Sequence, residues 1–591
     1  MKNTTTRRKL IISAVLLILL GGGLALDLTY RGAFWRMAWS VTGREDAVGQ
    51  LRGVVQYAGN WLRPQPRVDR MTAVDHANVP PYGINTFLEQ EVDPQKVEAA
   101  LQMIGEAGFH WIRQQFIWAD IEISGKGDFI DARHDLTGDG QIDAISAWEK
   151  YDRIVDGAQA NGLRIQARLD APPAWSRALP EEEAGAFAPP DDFQDYVDYA
   201  VAVAERYLGR IWHYQIWNEP NIFPEWGNAP VDPEAYTRML CMTHDALKAV
   251  HPDIVVIAGA LAPTQSLTSR DLNDYIFLQR MYQAGAGDCF DVLSMQGYGL
   301  RSGPTDRRMR PTLVNISRNL YIRDLMIANG DAHKPIWISE AAWNFVPSAD
   351  EAPDIAEPRD LYGQVSMEQA ADYIVRLYER VEQEWPWMGV VNYWFFTRRS
   401  DDERDQPFYY FRMVEPYFDA QADPPFPPLP VYHALRDHMQ NTAPTLHAGV
   451  HLMASAHDAH WAVTFPPEAS RERLPAATSG HAMRTTGATM RVHGTDVLLR
   501  WQGVETIRVN GETVDGLAVG GWYSARLHLS ATAQPHAIDI TAEAPILLES
   551  VTVLADGWRH AFAWIAGGLV ALIALGVALY DALALRRRRR A

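Results

Sequence analysis

Between residues 82 and 395, eight short apolar runs alternate with longer stretches whose apolar residues recur at helical spacing, and no other feature restricts the fold as much. The strand-like runs cover 82–86, 110–116, 163–169, 211–217, 254–259, 291–296, 335–339 and 388–395. Between them, 94–108, 145–162, 193–208, 233–250, 272–286, 313–329 and 367–384 read as amphipathic helices, and 430–438 closes the series. Eight strand-helix units predict an α/β chain built on a (β/α)8 TIM barrel over 79–441. Barrels of this kind run from about 200 to 400 residues.

After Gln440 the texture changes to short alternating runs broken by Gly, Pro and Asp, at 462–465, 489–492, 497–501, 506–509, 524–529, 537–540 and 547–554. These predict a small all-β, sandwich-like domain over 442–556. Its aromatics Trp461, Trp501, Trp522 and Tyr523 can all be core, which favours a spacer beside the membrane over a sugar-binding module.

The two ends read as membrane segments. Residues 561–580 carry no charged side chain and are long enough to cross a hydrocarbon layer of ~30 Å as a helix. The arginines at 586–590 then place the C-terminus on the cytoplasmic side and everything upstream outside. At the other end, Arg7, Arg8 and Lys9 precede the apolar run 10–26, which reads as a retained anchor in preference to a signal peptide.

The expected organisation is an N-terminal anchor or signal (1–30), a membrane-proximal helix and linker (31–78), the barrel, the β domain, a transmembrane helix (560–583) and a basic cytoplasmic tail (584–591). A lipid bilayer is thus an expected partner through two transmembrane helices. Within the linker, Val48, Leu51, Val54, Val55, Ala58, Trp61 and Leu62 recur at helical spacing before Arg63-Pro64-Gln65-Pro66 stops the pattern. Such a helix lies on the bilayer or packs on the barrel, and the sequence does not decide between them. A formal net charge of −19 argues against nucleic acid as a partner, because phosphate binding needs a basic footprint.

Two acidic residues stand where a barrel places its chemistry, at the C-terminal ends of strands. The fourth strand delivers Asn218-Glu219-Pro220-Asn221, and the seventh delivers Glu340. A carboxylate directly after an apolar strand is costly unless it faces a polar cleft. Two carboxyls in one cleft are the minimum needed to protonate a departing oxygen and to stabilise or capture the cationic carbon left behind.

The string Trp217-Asn218-Glu219-Pro220-Asn221 on strand four, with a glutamate ending strand seven, resembles clan A of the glycoside hydrolases, particularly families 39 and 5, over the whole barrel. That resemblance implies a carbohydrate substrate, Glu219 as acid/base, Glu340 as nucleophile, net retention of anomeric configuration and no required cofactor. It further implies that Asn218 binds the sugar 2-hydroxyl, that Arg113 keeps the nucleophile ionised, that Tyr298 orients it, and that Trp394 floors the subsite beside the cleaved bond. Two departures weaken any transfer of substrate preference. Family 39 has Glu-Trp-Asn where this chain reads Glu340-Ala341-Ala342-Trp343-Asn344, and a strand-six histidine of several relatives is Gln296 here.

The expected function is therefore that of a membrane-anchored retaining glycoside hydrolase acting outside the cytoplasm on a β-linked poly- or oligosaccharide. Alternatives are an exopolysaccharide-processing glycosidase of an export system, and a non-catalytic carbohydrate-binding scaffold whose mark would be a missing carboxylate.

Trp118, Trp175, Trp226 and Trp343 follow strands two, three, four and seven and are candidates for sugar-lining positions, with packing as the competing role. Arg168 and Asp170 on strand three contact either sugar hydroxyls or each other. Asp135, Thr137, Asp139 and Asp143 are spaced as in a calcium loop, with glycine at the sixth position, but Ser146 stands where the closing carboxylate belongs. A structural Ca²⁺ is one reading and a rigid Asp/Gly turn the favoured one. Cys241 and Cys289 are read as unpaired buried thiols in preference to a single disulfide.

Overall fold

The computed structural model of the chain describes residues 21–135 and 139–555. The expected C-terminal span, and all of the expected N-terminal span but 21–26, lie outside the described residues. Among the described residues no helix is long and apolar enough to cross a membrane. The chain forms two compact units, one running to Thr442 without 70–73, the other comprising Arg70–Ala73 and the chain from Ala443.

The first unit is the barrel. Its strands are β1 (Tyr82–Thr86), β2 (Trp111–Ile117), β3 (Arg164–Asp170), β4 (His213–Asn218), β5 (Val255–Ala260), β6 (Leu293–Gln296), β7 (Ile336–Ala341) and β8 (Met388–Tyr393). They pair in parallel in the order β5-β4-β3-β2-β1-β8-β7-β6. The ring closes between β5 and β6 through the isolated bridges Ile257–Val292 and Leu261–Met295. Around it lie α1 (Pro94–Ala107), α2 (Glu149–Ala160), α3 (Phe193–Arg206), α4 (Pro233–Val250), α5 (Asp274–Gln283), α6 (Asn319–Ala328), α7 (Met367–Glu384) and α8 (Pro430–Asn441). Several of their first turns are fixed by side chains the sequence supplies. Asp93, Asp192 and Asp232 each accept a backbone N–H at the start of a helix, and Ser366 with Gln369 forms a capping box on α7.

Because side chains alternate across a strand, each barrel strand sends every second residue inward. At the N-terminal end those residues are Trp111 of β2, His213 of β4 and Trp337 of β7, whose rings pack 4.8 to 5.4 Å apart as an aromatic plug. Two residues further along the same strands the interior turns polar, with Arg113, Gln215 and Ser339. Gln166 of β3 and Asn392 of β8 exchange side-chain hydrogen bonds across the barrel at 3.3 and 3.2 Å. The strands thus grade from an apolar base to a hydrogen-bonding mouth.

The helices Ala33–Thr42 and Ala47–Ala58 belong to this unit and pack on it. Gly303 N–H donates to Gly43 O at 2.7 Å, Thr305 Oγ1 to Trp39 O at 2.8 Å, and Tyr373 to the Glu45 carboxylate at 2.5 Å. Gly43 lies in the left-handed region at φ 58°, and a Cβ there would meet the Gly303 carbonyl at 2.7 Å.

The cysteines depart from expectation. Cys241 on α4 and Cys289, just after α5, form a disulfide across a sequence separation of 48, with Cα atoms 4.7 Å apart. The sequence pattern gave no sign that α4 and the turn after α5 come this close.

The second unit is a ten-stranded antiparallel sheet centred on the long strand Gln534–Leu554, which pairs with His481–Gly494 and Asp496–Gln502. The separate runs expected at 537–540 and 547–554 are one continuous strand. Trp501 and Trp522 are 0% and 4% exposed, so both serve the core of this unit.

Candidate active site

At the C-terminal mouth, β4 ends in an unusual backbone. Trp217 and Glu219, either side of Asn218, lie in the left-handed region at φ 71° and 41°, where branched and bulky residues are held only if their surroundings fix them. The surroundings do. The Trp217 indole donates to Glu225 O at 2.7 Å, its carbonyl accepts from Gln215 Nε2 at 2.8 Å, and Glu219 N–H donates to Ala260 O at 2.8 Å.

Strand β7 reaches the same mouth by a different device. Ile338 faces Met295 while Glu340 faces Gln296, so β7 carries one extra residue, and β8 meets the same irregularity. This β-bulge turns Glu340 into the interior directly after the inward-facing Ser339.

Arg113 ties the two strand ends together. Fully buried, it donates to Glu340 Oε1 at 3.0 Å, to Asn218 Oδ1 at 2.7 Å, to Asn85 Oδ1 at 2.8 Å and to Gln215 Oε1 at 2.9 Å. Tyr298 donates to the other Glu340 oxygen at 2.7 Å. Burial, with Glu340 beside it, raises the Tyr298 phenol well above its ordinary range, so it remains a donor. Both oxygens of Glu340 are therefore met by hydrogen-bond donors.

Glu219 stands in the opposite environment. Burial, then the negative charges of Glu340 and Glu225, hold its carboxyl well above the usual carboxylate range. Gln296 Nε2 donates to Glu219 Oε1 at 2.9 Å and Arg168 lies near, but both act against a larger desolvation. The two carboxyls thus meet different surroundings, Glu340 paired with Arg113 and Tyr298, Glu219 desolvated and repelled.

A third carboxyl completes the site. Glu225, in the loop after β4, accepts a hydrogen bond from Asn218, and burial pushes it up to about 7 against the opposing pull of Arg168. Asn218 is thus held from both sides, by Arg113 and by Glu225. Arg168 and Asp170 pair with each other, and Gln115 Nε2 donates to Asp170 Oδ1 at 2.6 Å. Glu225 has no motif that marks it in the sequence. Asn85 and Gln215 do carry a sign, being polar residues at inward positions of otherwise apolar strands.

The aromatics divide. Trp394, Tyr298 and Tyr362 are half-buried at the mouth, and the charges of Glu219 and Glu340 both act on Tyr362. The peptide bond Trp394–Phe395 is cis. Trp118 and Trp343 are not cleft residues. Trp118 is 0% exposed, stacked on Tyr199 at 5.3 Å with its indole on Glu122, and Trp343 is 1% exposed with its indole on Ser302 O. Their loops turn the rings inward, toward helices, where burial of a large apolar ring is more favourable. Trp226 is likewise buried, 5.5 Å from Trp217, and half-buried Trp175 donates to Glu122 O at 2.8 Å.

Of the calcium-loop residues, Thr137 lies outside the described residues. Asp135 accepts the backbone N–H groups of Asp139 and Gly140, and Asp139 accepts that of Gln141, which is the pattern of a tight turn. Asp143 starts the second strand of the hairpin Ile130–His134 and Asp143–Ser146. Among the described residues no group of three or more His, Cys, Asp or Glu side chains is arranged to hold a metal ion.

No family model matches the chain. A curated β-xylosidase of Geobacillus stearothermophilus is 28% identical over 136 residues, 21% of this chain and 26% of the relative. The match thus spans about a quarter of that relative's length. Among solved structures, the fold is similar to a family 39 glycoside hydrolase from Bacteroides cellulosilyticus, at 16% identity and a TM-score of 0.44 over 80% of this chain and 83% of that one. A family 39 β-xylosidase from Caulobacter crescentus gives 15% identity and a TM-score of 0.42 over 82% and 99%. The proteins to which the chain is similar are glycoside hydrolases.

Proposed function

We propose that the chain is a membrane-anchored glycoside hydrolase that cleaves O-glycosidic bonds with retention, through Glu219 as acid/base and Glu340 as nucleophile. The observation that carries this reading is the opposed treatment of two carboxyls at the ends of β4 and β7, one ion-paired and doubly hydrogen-bonded, the other desolvated and repelled.

In the first step protonated Glu219 gives its proton to the leaving oxygen while Glu340 bonds to the anomeric carbon. Esterification removes the Glu340 charge, and with it one of the causes that keep Glu219 protonated. Glu219 then acts as base, drawing a proton from the water that releases the sugar. To Asn218, fixed between Arg113 and Glu225, this reading assigns the 2-hydroxyl, and to Trp394 the sugar ring.

Three features support action outside the cytoplasm. The 10–26 and 561–580 runs suit a bilayer, the arginines after the second run suit the cytoplasmic side, and the disulfide Cys241–Cys289 suits an oxidising compartment. Anchoring at two points also favours a second reading, trimming of exopolysaccharide at the membrane during export. The name of the curated relative makes β-xylosides the first substrates to try, followed by gluco-, manno- and galacto-configured compounds.

The test is hydrolysis of aryl β-glycosides followed by proton NMR. The β-anomer should appear first and mutarotate. Initial release of the α-anomer would refute retention, and full activity of either Glu219→Gln or Glu340→Gln would remove the assignment of that residue.

A further inference from the structure

The helix Ala47–Ala58 is amphipathic in the reversed sense. Its buried residues are Gln50 and Gly53, and Gln50 Nε2 donates to the carbonyls of Arg44 at 2.9 Å and Trp35 at 3.4 Å. Gln56 Oε1 accepts from Arg308 at 3.1 Å, and Asn60 bonds to Arg307 O and Met309 N–H. The opposite face carries Val48, Leu51 and Val55, exposed at 67%, 45% and 74%, and it continues into Trp61 at 79% and Leu62 at 90%. Tyr30 and Met37, at 79% and 60%, add to it from the preceding segment. Scattered exposed apolar residues are ordinary on a protein surface, but a helical stripe of them whose polar side is spent on the fold is a surface meant to be covered.

Two observations identify the cover. First, the chain folds back on itself immediately after the apolar run 10–26. The carboxylate of Asp27 accepts the N–H groups of Trp35 at 2.8 Å and Phe34 at 3.3 Å, and Gly32 N–H donates to Asp27 O at 2.8 Å. A bilayer that holds the run therefore has its headgroups within a few residues of this helix pair. Second, the local charge is inverted. Residues 28–63 carry Arg31, Arg36, Arg44, Arg52 and Arg63 against Glu45 and Asp46, in a chain whose formal net charge is −19.

We propose that this face docks on the headgroup region of a phospholipid bilayer rich in anionic lipid, with the stripe immersed by ~5–10 Å and the exposed Arg36 and Arg52 at the phosphates. The inference rests on reading 10–26 as membrane-embedded. It gives the helix pair two faces with different tasks. The polar one braces the loop after β6, through Gly43 on Gly303 and Arg44 on Arg301, and that loop also carries Tyr298. The apolar one faces lipid.

The experiment uses the full chain with Val55→Cys, or with Gln102→Cys on exposed α1 as control, each labelled with an environment-sensitive fluorophore. The chain is reconstituted into phosphatidylcholine vesicles with or without phosphatidylglycerol, some containing lipid spin-labelled just below the headgroup. Docking is supported if the probe at 55 is quenched, more strongly with phosphatidylglycerol, while that at 102 is not. Adding Val48→Glu and Leu51→Glu should abolish the quenching while the chain still floats with vesicles after alkaline carbonate. A floated chain with no quenching at 55 refutes docking alone. A chain that fails to float refutes both docking and the anchor. Self-quenching between copies at 55 in detergent would assign the face to a second copy and overturn the proposal.

Discussion

Replacing Glu219 by Gln removes a proton and little else. The Glu219 Oε1 that Gln296 reaches at 2.9 Å has an amide counterpart in the variant, so the one strong neighbour contact survives. General acid catalysis is worth about 10²- to 10⁴-fold, or roughly 2.7 to 5.4 kcal/mol at about 1.36 kcal/mol per decade. The whole of that loss should fall on substrates whose leaving group needs protonation. For an alkyl or sugar leaving group, kcat/KM is expected to drop across this range, whereas for a dinitrophenyl glycoside it should stay within about tenfold.

The pH profile supplies the second readout. A carboxyl raised in the folded state keeps its proton to higher pH, so wild-type activity should be present below the folded-state value and lost as pH rises through it. That alkaline limb should disappear from the variant on the activated substrate. By the same sign, Glu219 contributes stability below its unfolded value and loses it as pH rises, so the variant should melt no lower than wild type at alkaline pH. Azide should rescue turnover and yield a β-glycosyl azide. Equal losses on both leaving groups, with the alkaline limb intact, would refute the assignment of Glu219.

Tyr298→Phe deletes one hydrogen bond to an ionised group, about 1.5–3 kcal/mol, and should lower kcat roughly 10- to 150-fold with the melting temperature little changed; an unaltered kcat would mean that Tyr298 does not support Glu340 during turnover. Trp118→Ala should cost about 3–5 kcal/mol of stability and leave KM alone, whereas Trp394→Ala should raise KM with a smaller effect on stability; calorimetry and steady-state kinetics separate the two. Cys241→Ser opens a loop with a sequence separation of 48, worth about 4 kcal/mol on a chain-entropy basis, and should lower the melting temperature to that of the reduced wild type.

What could be read from sequence follows from how each feature is encoded. Barrel strands announce themselves by apolar content and spacing, and all eight are displaced by no more than a residue or two from the expected bounds at either end, as with 110–116 against Trp111–Ile117. Glu219 and Glu340 were legible because a carboxylate at the end of an apolar strand has few places to go. The bulge that aims Glu340 inward was not, since it shows only in the pairing with β6 and β8. Glu225 lies on an irregular loop and enters the site through the path of the backbone. Trp118 and Trp343 share the sequence position of cleft aromatics but are turned toward packing partners by the chain between strand and helix. The stripe of Val48, Leu51 and Val55 was the most deceptive, because periodicity finds an apolar stripe without saying which face meets the protein.

The barrel joins itself through two isolated bridges between β5 and β6, and at one of them Gln296 N–H donates to Leu261 O at 3.1 Å. A seam with so short a ladder should open at lower free energy than the continuous pairings elsewhere in the ring. Gln296 also steadies Glu219, so parting of the seam would release the carboxyl proposed as proton donor while most of the molecule is still folded. On warming, loss of turnover should therefore precede loss of ellipticity, and amides of Leu261 and Gln296 should exchange early; coincident transitions would show the seam to be as firm as the rest.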